Sequence, residues 1–350
     1  MIPLRETSTM LVKTFLTRLA AFWVAALLVG TAFAQTPVKF TLDWRFEGPS
    51  AIFLWALEKG YYKAEGLDVT IDAGNGSTEA INRVASGTYD IGFGDINSLI
   101  RFRDKRENPP MKAVAMIYDA PPFAIVSLAK NGIVKPKDLE GKILGAPAAD
   151  GAFAQWKAFV AINKIDDSKV KIENVGFPVR EPMLVEGKVH AITGFSFSSY
   201  INLRSRGVPQ DGINVMLMRE HGLDLYGNAI IVNPGFAQKN PKAVAGFVRA
   251  TLRAVREVAN TQREAVKLVI KRNPIADEQW EAIRLKLAYD QNILTKDALA
   301  NGLGGVDMKR LARSIDQIGL AFNFTNKPKP EDIFDPQFLP PKNERMVVLR

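Results

Sequence analysis

The sequence predicts an α/β protein of two lobes, and three observations carry that expectation. Short apolar strands alternate with amphipathic helices along most of the chain. The 350 residues are about twice a typical domain of roughly 150. One pattern also recurs: Ser86-Gly87-Thr88-Tyr89-Asp90-Ile91-Gly92-Phe93-Gly94 is echoed by Glu186-Gly187-Lys188-Val189-His190-Ala191-Ile192-Thr193-Gly194. Each reads as a helix end, a glycine, a short strand and a glycine at its tip, as two lobes of one plan would require.

The N-terminus reads as an export signal. Lys13 and Arg18 precede an uncharged apolar run from Leu19 to Val29, and Ala32-Phe33-Ala34 supplies a small-x-small cleavage pattern. Residues 1–34 are therefore expected to be removed near Ala34, with Met10 as an alternative start. The run falls short of the ~20 residues that span a bilayer, so an exported, periplasmic mature protein is expected. Losing Arg5, Lys13, Arg18 and Glu6 lowers the net charge from +9 to +7.

Val38 to Leu42 alternates as a strand, and Asp43-Trp44-Arg45-Phe46-Glu47-Gly48-Pro49 breaks it before a helix from Ser50 to Lys59, stopped by Gly60. Gly66 to Ile71 is the next strand. Gly74-Asn75-Gly76-Ser77-Thr78-Glu79 offers a glycine turn, an N-cap hydroxyl and an early acid for a helix that ends at Gly87. Further strands are expected at Tyr89 to Phe93, Val114 to Tyr118, Ala124 to Leu128 and Lys142 to Ala146, and near Val170, Ala191 and Val215. A helix is expected near Ala152 to Ile162. Beyond Tyr226 to Val232 the character changes to long helices. Val244, Phe247, Val248, Thr251, Leu252, Val255 and Val258 mark one apolar face, and Arg249, Arg253 and Arg256 read as a solvated one. Helices follow at Asp277 to Asn292 and Met308 to Ile318. From Asn326 the chain, rich in proline and charge, reads as a strap or tail.

Composition removes several functions. With no cysteine, disulfide frameworks, Cys-ligated zinc, iron–sulfur clusters and thiol nucleophiles are excluded, and two histidines, His190 and His221, do not make a histidine-rich metal site. No metal and no cofactor are expected. There is no basic run of five residues, so no nucleic-acid partner is expected either. The chain lacks a Gly-x-Ser-x-Gly elbow, a P-loop and a dinucleotide fingerprint.

What remains is a set of strand tips and helix starts, which in open α/β sheets hold small ligands. The candidate ligand-binding residues are Asp43, Trp44, Phe46, Ser77, Thr78, Asp95, Asn97, Ser98, Pro147, Phe195 and Tyr226, with Phe197 as a second aromatic wall. Trp44 follows a strand directly, where an indole can stack on a flat ligand; core packing is the competing role.

These residues resemble a family. Leu42-Asp43-Trp44 with Ala56-Leu57-Glu58-Lys59-Gly60-Tyr61-Tyr62-Lys63-Ala64-Glu65-Gly66-Leu67-Asp68-Val69 looks like the opening of ABC-importer substrate-binding proteins. The branch is the one that holds thiamine-pyrimidine (NMT1/THI5-like), sulfonate and nitrate binders. Gly87 to Gly94, Lys137-Asp138-Leu139-Glu140-Gly141-Lys142 and Phe334-Asp335-Pro336-Gln337-Phe338-Leu339 continue the match. The resemblance implies a type II periplasmic binding protein, each lobe a mixed sheet flanked by helices, with a ligand cleft between lobes joined by a two-stranded hinge. Lobe 1 would comprise 36–123 and 229–325, lobe 2 124–228, and 326–350 a strap.

It further implies a monomer that delivers a small-molecule ligand to an inner-membrane permease. Trp44 would stack on a pyrimidine, and Ser77, Asn97 and the turn after Ala146 would line the pocket. The sequence departs from the pyrimidine group at Arg45-Phe46-Glu47-Gly48, which replaces a Pro-Asn and histidine-containing segment. Sulfonate, nitrate and carboxylate therefore remain alternative ligands. The branch also includes a thiamine-pyrimidine synthase that depends on an active-site histidine and a cysteine-rich motif, and this chain has no cysteine. An exported enzyme using Asp43, Asp95 and His190 and a periplasmic sensor are the competing classes.

Overall fold

The computed structural model describes residues 35–349, so the expected export signal lies outside the described residues. Ten strands form two five-stranded sheets. The first holds β1 (Thr36–Thr41), β2 (Leu67–Asp72), β3 (Ile91–Asp95), β4 (Lys112–Met116) and β10 (Asn228–Val232), in the order β2-β1-β3-β10-β4. The second holds β5 (Phe123–Leu128), β6 (Ile143–Ala146), β7 (Lys171–Asn174), β8 (Ala191–Phe195) and β9 (Ile213–Leu217), in the order β7-β6-β8-β5-β9.

The two orders are one plan. In each sheet three strands run parallel and the fourth and fifth positions add antiparallel pairings: β1 with β2 and β3, then β10 against β3 and β4; β6 with β7 and β8, then β5 against β8 and β9. The sequence echo falls on β3 and β8, the middle strand of each sheet. Gly87 and Gly187 before them both adopt positive φ, +75° and +73°, which a side chain would strain. The chain crosses between the sheets twice, from β4 to β5 and from β9 to β10. Those crossings are bound together where Tyr118 N donates to Asn228 O (2.9 Å) and Gly227 N donates to Tyr118 O (2.9 Å).

Helices cover the sheets. In the first lobe α1 (Ala51–Glu58), α2 (Ser77–Ala85) and α3 (Ile96–Arg103) follow strand tips; in the second, α4 (Trp156–Asn163), α5 (Arg180–Val185) and α6 (Ser196–Arg204) do the same. The late helices α7 (Pro241–Val258), α8 (Gln262–Arg272), α9 (Glu278–Ala288) and α10 (Met308–Gly319) return to the first lobe's flank and to the seam. All seven residues of the expected α7 stripe are buried, and a buried aliphatic or aromatic side chain contributes roughly 1.5–3 kcal/mol. Among the described residues no helix is long and apolar enough to cross a membrane.

Several expectations need correction. Ser77 does not cap α2; the N-cap is Gly76, without a side-chain bond, and the Ser77 hydroxyl turns to Asp43 instead. The α7 arginines are not simply solvated: Arg249 pairs with Glu65 through two bonds, and Arg253 lies 3.9 Å from the Tyr61 ring centre and pairs with Glu257. The helix after Asp277 ends in a π-turn, Tyr289–Ile293, where the Tyr289 hydroxyl reaches Val255 O at 2.8 Å. The C-terminal segment is a packed strap, with Ile333, Phe334 and Phe338 buried and Phe334 bridging to Ala113.

Candidate functional site

The site starts at the end of β1. Leu42 is the last buried apolar residue there, and the loop after it is held by the glycine turn before α2: Gly76 N donates to Asp43 O at 2.6 Å and Gly74 N to Trp44 O at 3.0 Å. Gly76 has φ +112°, and a Cβ there would overlap the carbonyl of Ala149 from the second lobe. Close approach of the two lobes therefore requires a glycine at this point.

This geometry places Asp43, Trp44 and Ser77 in the wall of a cleft between the lobes, with Glu47 at its edge. The cleft holds about 610 Å³ of unfilled space, its open mouth included. Phe53, Phe93 and Tyr118 form its floor on the first lobe; Phe177, Phe195 and Phe197 face them from the second. Trp44 and Phe177 meet edge to face with ring centres 4.5 Å apart, a favoured aromatic arrangement.

The polar groups fall into two kinds. Arg180, buried, gives Nε and Nη2 to Glu181 at 3.0 and 2.6 Å. Arg284 on α9, also buried, pairs with Glu47 (3.2 Å) and Glu281 (3.0 Å) and donates to Ser198 O and Asn202 Oδ1 of α6, both at 3.1 Å. These cations are already neutralised, and Arg284 ties one lobe to the other. Asp43 is different. Its Oδ2 accepts from Asn228 Nδ2 at 2.6 Å and from Ser77 Oγ at 3.4 Å, and among the described residues no cation is paired to it. Burial pushes its pKa up to about 7, against the lowering pull of those donors, and Glu47 adds to the rise. The Trp44 Nε1 is buried without a partner among the described residues. Such an orphan is costly unless something supplies an acceptor. Asp150, at the cleft's far wall, is occupied by Thr193 Oγ1 (2.7 Å) and two backbone amides. Burial raises its pKa, opposed by Arg180.

Of the expected residues, Asp43, Trp44, Ser77 and Phe195 come together in this cleft and Phe197 joins them. The others stand elsewhere. Asp95 is buried and caps α3, accepting from Asn97 N and Nδ2, Ser98 N and Oγ and Gln155 Nε2. The Asn97 Nδ2 donates to Asp95 Oδ1 and to Tyr226 O, and its Oδ1 is buried without a partner among the described residues. Tyr226 lies buried under Arg310, its hydroxyl accepting from Asp307 N. Pro147 is buried, its carbonyl bound by Asp150 N. Phe46 packs against the first lobe's helices with Arg272 over its ring. Thr78 and Ser98 border a separate cavity on the other side of Gly76. The groups named for acid–base work do not assemble: the His190 Nδ1 accepts from Ile143 N at 2.9 Å, at the start of β8 and away from the cleft. Among the described residues no group of three metal-ligating side chains occurs.

Sequence reasoning did not single out Glu47, Tyr118, Phe177 and Arg180 as site residues. The echo held a signal for two of them. Ser77 opens the helix before β3, and at the matching place before β8 Arg180 opens the helix with Phe177 just ahead of it.

Two like-built lobes around an aromatic cleft are the arrangement of the periplasmic-binding-protein fold. The alkanesulfonate-binding protein SsuA from Xanthomonas axonopodis pv. citri, solved bound to MOPS, shares this fold, with a TM-score of 0.65 at 12% identity over 87% of this chain and 98% of that one. The chain belongs to the NMT1/THI5-like family, whose model matches residues 49–265. Its curated relatives include the riboflavin-binding protein RibY of Chloroflexus aurantiacus, 26% identical over 292 residues, covering 81% of each chain. The formylaminopyrimidine-binding protein of Halalkalibacterium halodurans is 25% identical over 72% of this chain and 76% of its own. A 4-amino-5-hydroxymethyl-2-methylpyrimidine phosphate synthase of Aspergillus parasiticus is 25% identical over 68% and 71%.

Proposed function

We propose that this protein is the exported solute-binding component of an ABC importer, taking a flat, nitrogen-rich heteroaromatic solute of the pyrimidine or flavin kind and passing it to a membrane permease. The observation that carries this reading is the make-up of the cleft: an aromatic box drawn from both lobes, with Trp44 in its wall and beside it the Asp43 carboxyl, which has no cation paired to it among the described residues. A heteroaromatic ring offers a face to Trp44 and a donor to Asp43. The relatives' printed ligands, riboflavin and formylaminopyrimidine, have this character.

The charge balance separates this reading from its alternatives. A sulfonate, nitrate or carboxylate needs unspent cations, but Arg180 and Arg284 are matched by Glu181, Glu47 and Glu281. Only Arg45, exposed at the mouth and 5.4 Å from the Trp44 ring centre, stays without a carboxylate partner among the described residues of the lining. An anion inside would face Asp43, Glu47 and Asp150.

A thermal-shift panel tests the proposal. Formylaminopyrimidine or riboflavin at 100 times its dissociation constant stabilises the protein by about 2.7 kcal/mol, while nitrate and MOPS give no shift. A shift with the anions alone contradicts it. Conversion of the bound solute into a product would place the chain with the synthases instead.

A further inference from the structure

The two sheets share one plan, so the cleft has a repeat-related mate. Phe40 pairs with Ile91 in the first sheet as Leu144 pairs with Ala191 in the second; four residues on from Phe40 and Leu144 stand Trp44 and Ala148. In the same way Ser98 follows β3 as Ser198 follows β8. Trp44 and Ser198 line the first cleft. Ala148 and Ser98 line a second cavity across the partition formed by Gly76 and Ala149, where Ala148 stands at the place that Trp44 takes in the first. This cavity holds about 1250 Å³, its open side included.

Its chemistry is the opposite of the first. Three cations, Arg101, Lys105 and Lys157, line it, and no carboxylate does. Lys157 is paired with Asp167, whereas Lys105 has no acidic partner among the described residues. Arg101 sits half-buried with its guanidinium 4.8 Å from the ring centre of Phe322. Its one side-chain hydrogen bond among the described residues is a long one, Nη2 to Ser98 Oγ at 3.4 Å, and its Nε is buried without a partner. A guanidinium keeps its charge in such a place and is at its strongest with a bidentate oxyanion. Phe153 from the second lobe and Phe322 give the cavity an apolar wall beside that charge.

We infer that this cavity is a second ligand site, which takes a small aromatic oxyanion with its charged group on Arg101 and its ring between Phe153 and Phe322. The site does not depend on which solute the first cleft takes. Because residues of both lobes line it, an occupant favours the closed arrangement that also encloses the first cleft, and linkage makes the effect reciprocal.

Calorimetric titration of the exported full chain with phenyl phosphate, inorganic phosphate and phenol tests the inference. Phenyl phosphate is expected to saturate one site, with phenol and inorganic phosphate each about tenfold weaker, since each lacks one half of the recognised group. Arg101→Gln weakens phenyl phosphate about tenfold, and Lys105→Gln, on the exposed rim, about threefold, while Trp44→Ala changes it less than twofold. Absence of saturation, inorganic phosphate binding as tightly as phenyl phosphate, or phenol doing so overturns the inference. So does a loss in Trp44→Ala matched by none in Lys105→Gln, because that result puts the anion in the first cleft. Lys105→Gln leaves the buried partition untouched, so the test stands even where Arg101→Gln fails to fold.

Discussion

Asn228 Nδ2 donates to Asp43 Oδ2 at 2.6 Å, joining the first residue of β10 to the strand tip that opens the cleft. The bond places a carboxyl at the point where the returning chain re-enters the first lobe, with no cation to balance it among the described residues. Burial then raises its pKa to about 7. The folded state therefore holds a proton that the unfolded chain releases near 3.8, and ionising Asp43 costs stability as pH rises from about 4 to about 7.

Asp43→Asn removes that titration while keeping the shape. Between pH 5 and 7.5 the unliganded wild type is expected to lose stability relative to Asp43→Asn, by up to a few kcal/mol. Urea unfolding at both pH values measures the difference. Parallel behaviour of the two proteins contradicts the assignment.

Arg284 is the second test. It holds Glu47 and Glu281 and reaches two acceptors on α6 of the other lobe. Arg284→Met leaves two carboxylates without their cation, a change that costs about 3–5 kcal/mol in buried pairs. Adding Glu281→Gln is expected to recover part of the loss. Denaturant midpoints of the three proteins decide it; an unchanged midpoint in Arg284→Met shows that the clasp carries no stability.

Gly76 is the third. Its φ of +112° and the nearby Ala149 carbonyl leave no room for a methyl group. Gly76→Ala is expected to hold the lobes apart and weaken formylaminopyrimidine binding about tenfold, for a strain of about 1–2 kcal/mol. Titration measures it, and full affinity in Gly76→Ala means that closure does not pass through this contact.

Much of the architecture was legible in the sequence because strand and helix periods differ, and because the Ser86–Gly94 and Glu186–Gly194 segments mark the same place in two sheets. The strand-tip rule named Asp43, Trp44 and Ser77, which the fold brings to one cleft. It did not give side-chain direction. Thr78 follows Ser77 on a helix, where successive residues point about 100° apart, so it turns to the second cavity. Asp95 turns inward because the open amides of α3 bind it. Glu47, Phe177 and Arg180 enter the site only through the meeting of two lobes, a relation among distant segments that local patterns do not carry.

The central claim is that Trp44 is the platform on which the solute stacks. Titrating wild type and Trp44→Ala with formylaminopyrimidine and with MOPS tests it most directly. Wild type is expected to bind the pyrimidine saturably, Trp44→Ala to lose about 1–3 kcal/mol of that binding, and neither to bind MOPS. Equal affinity in the two proteins, or MOPS bound more tightly than the pyrimidine, would contradict it.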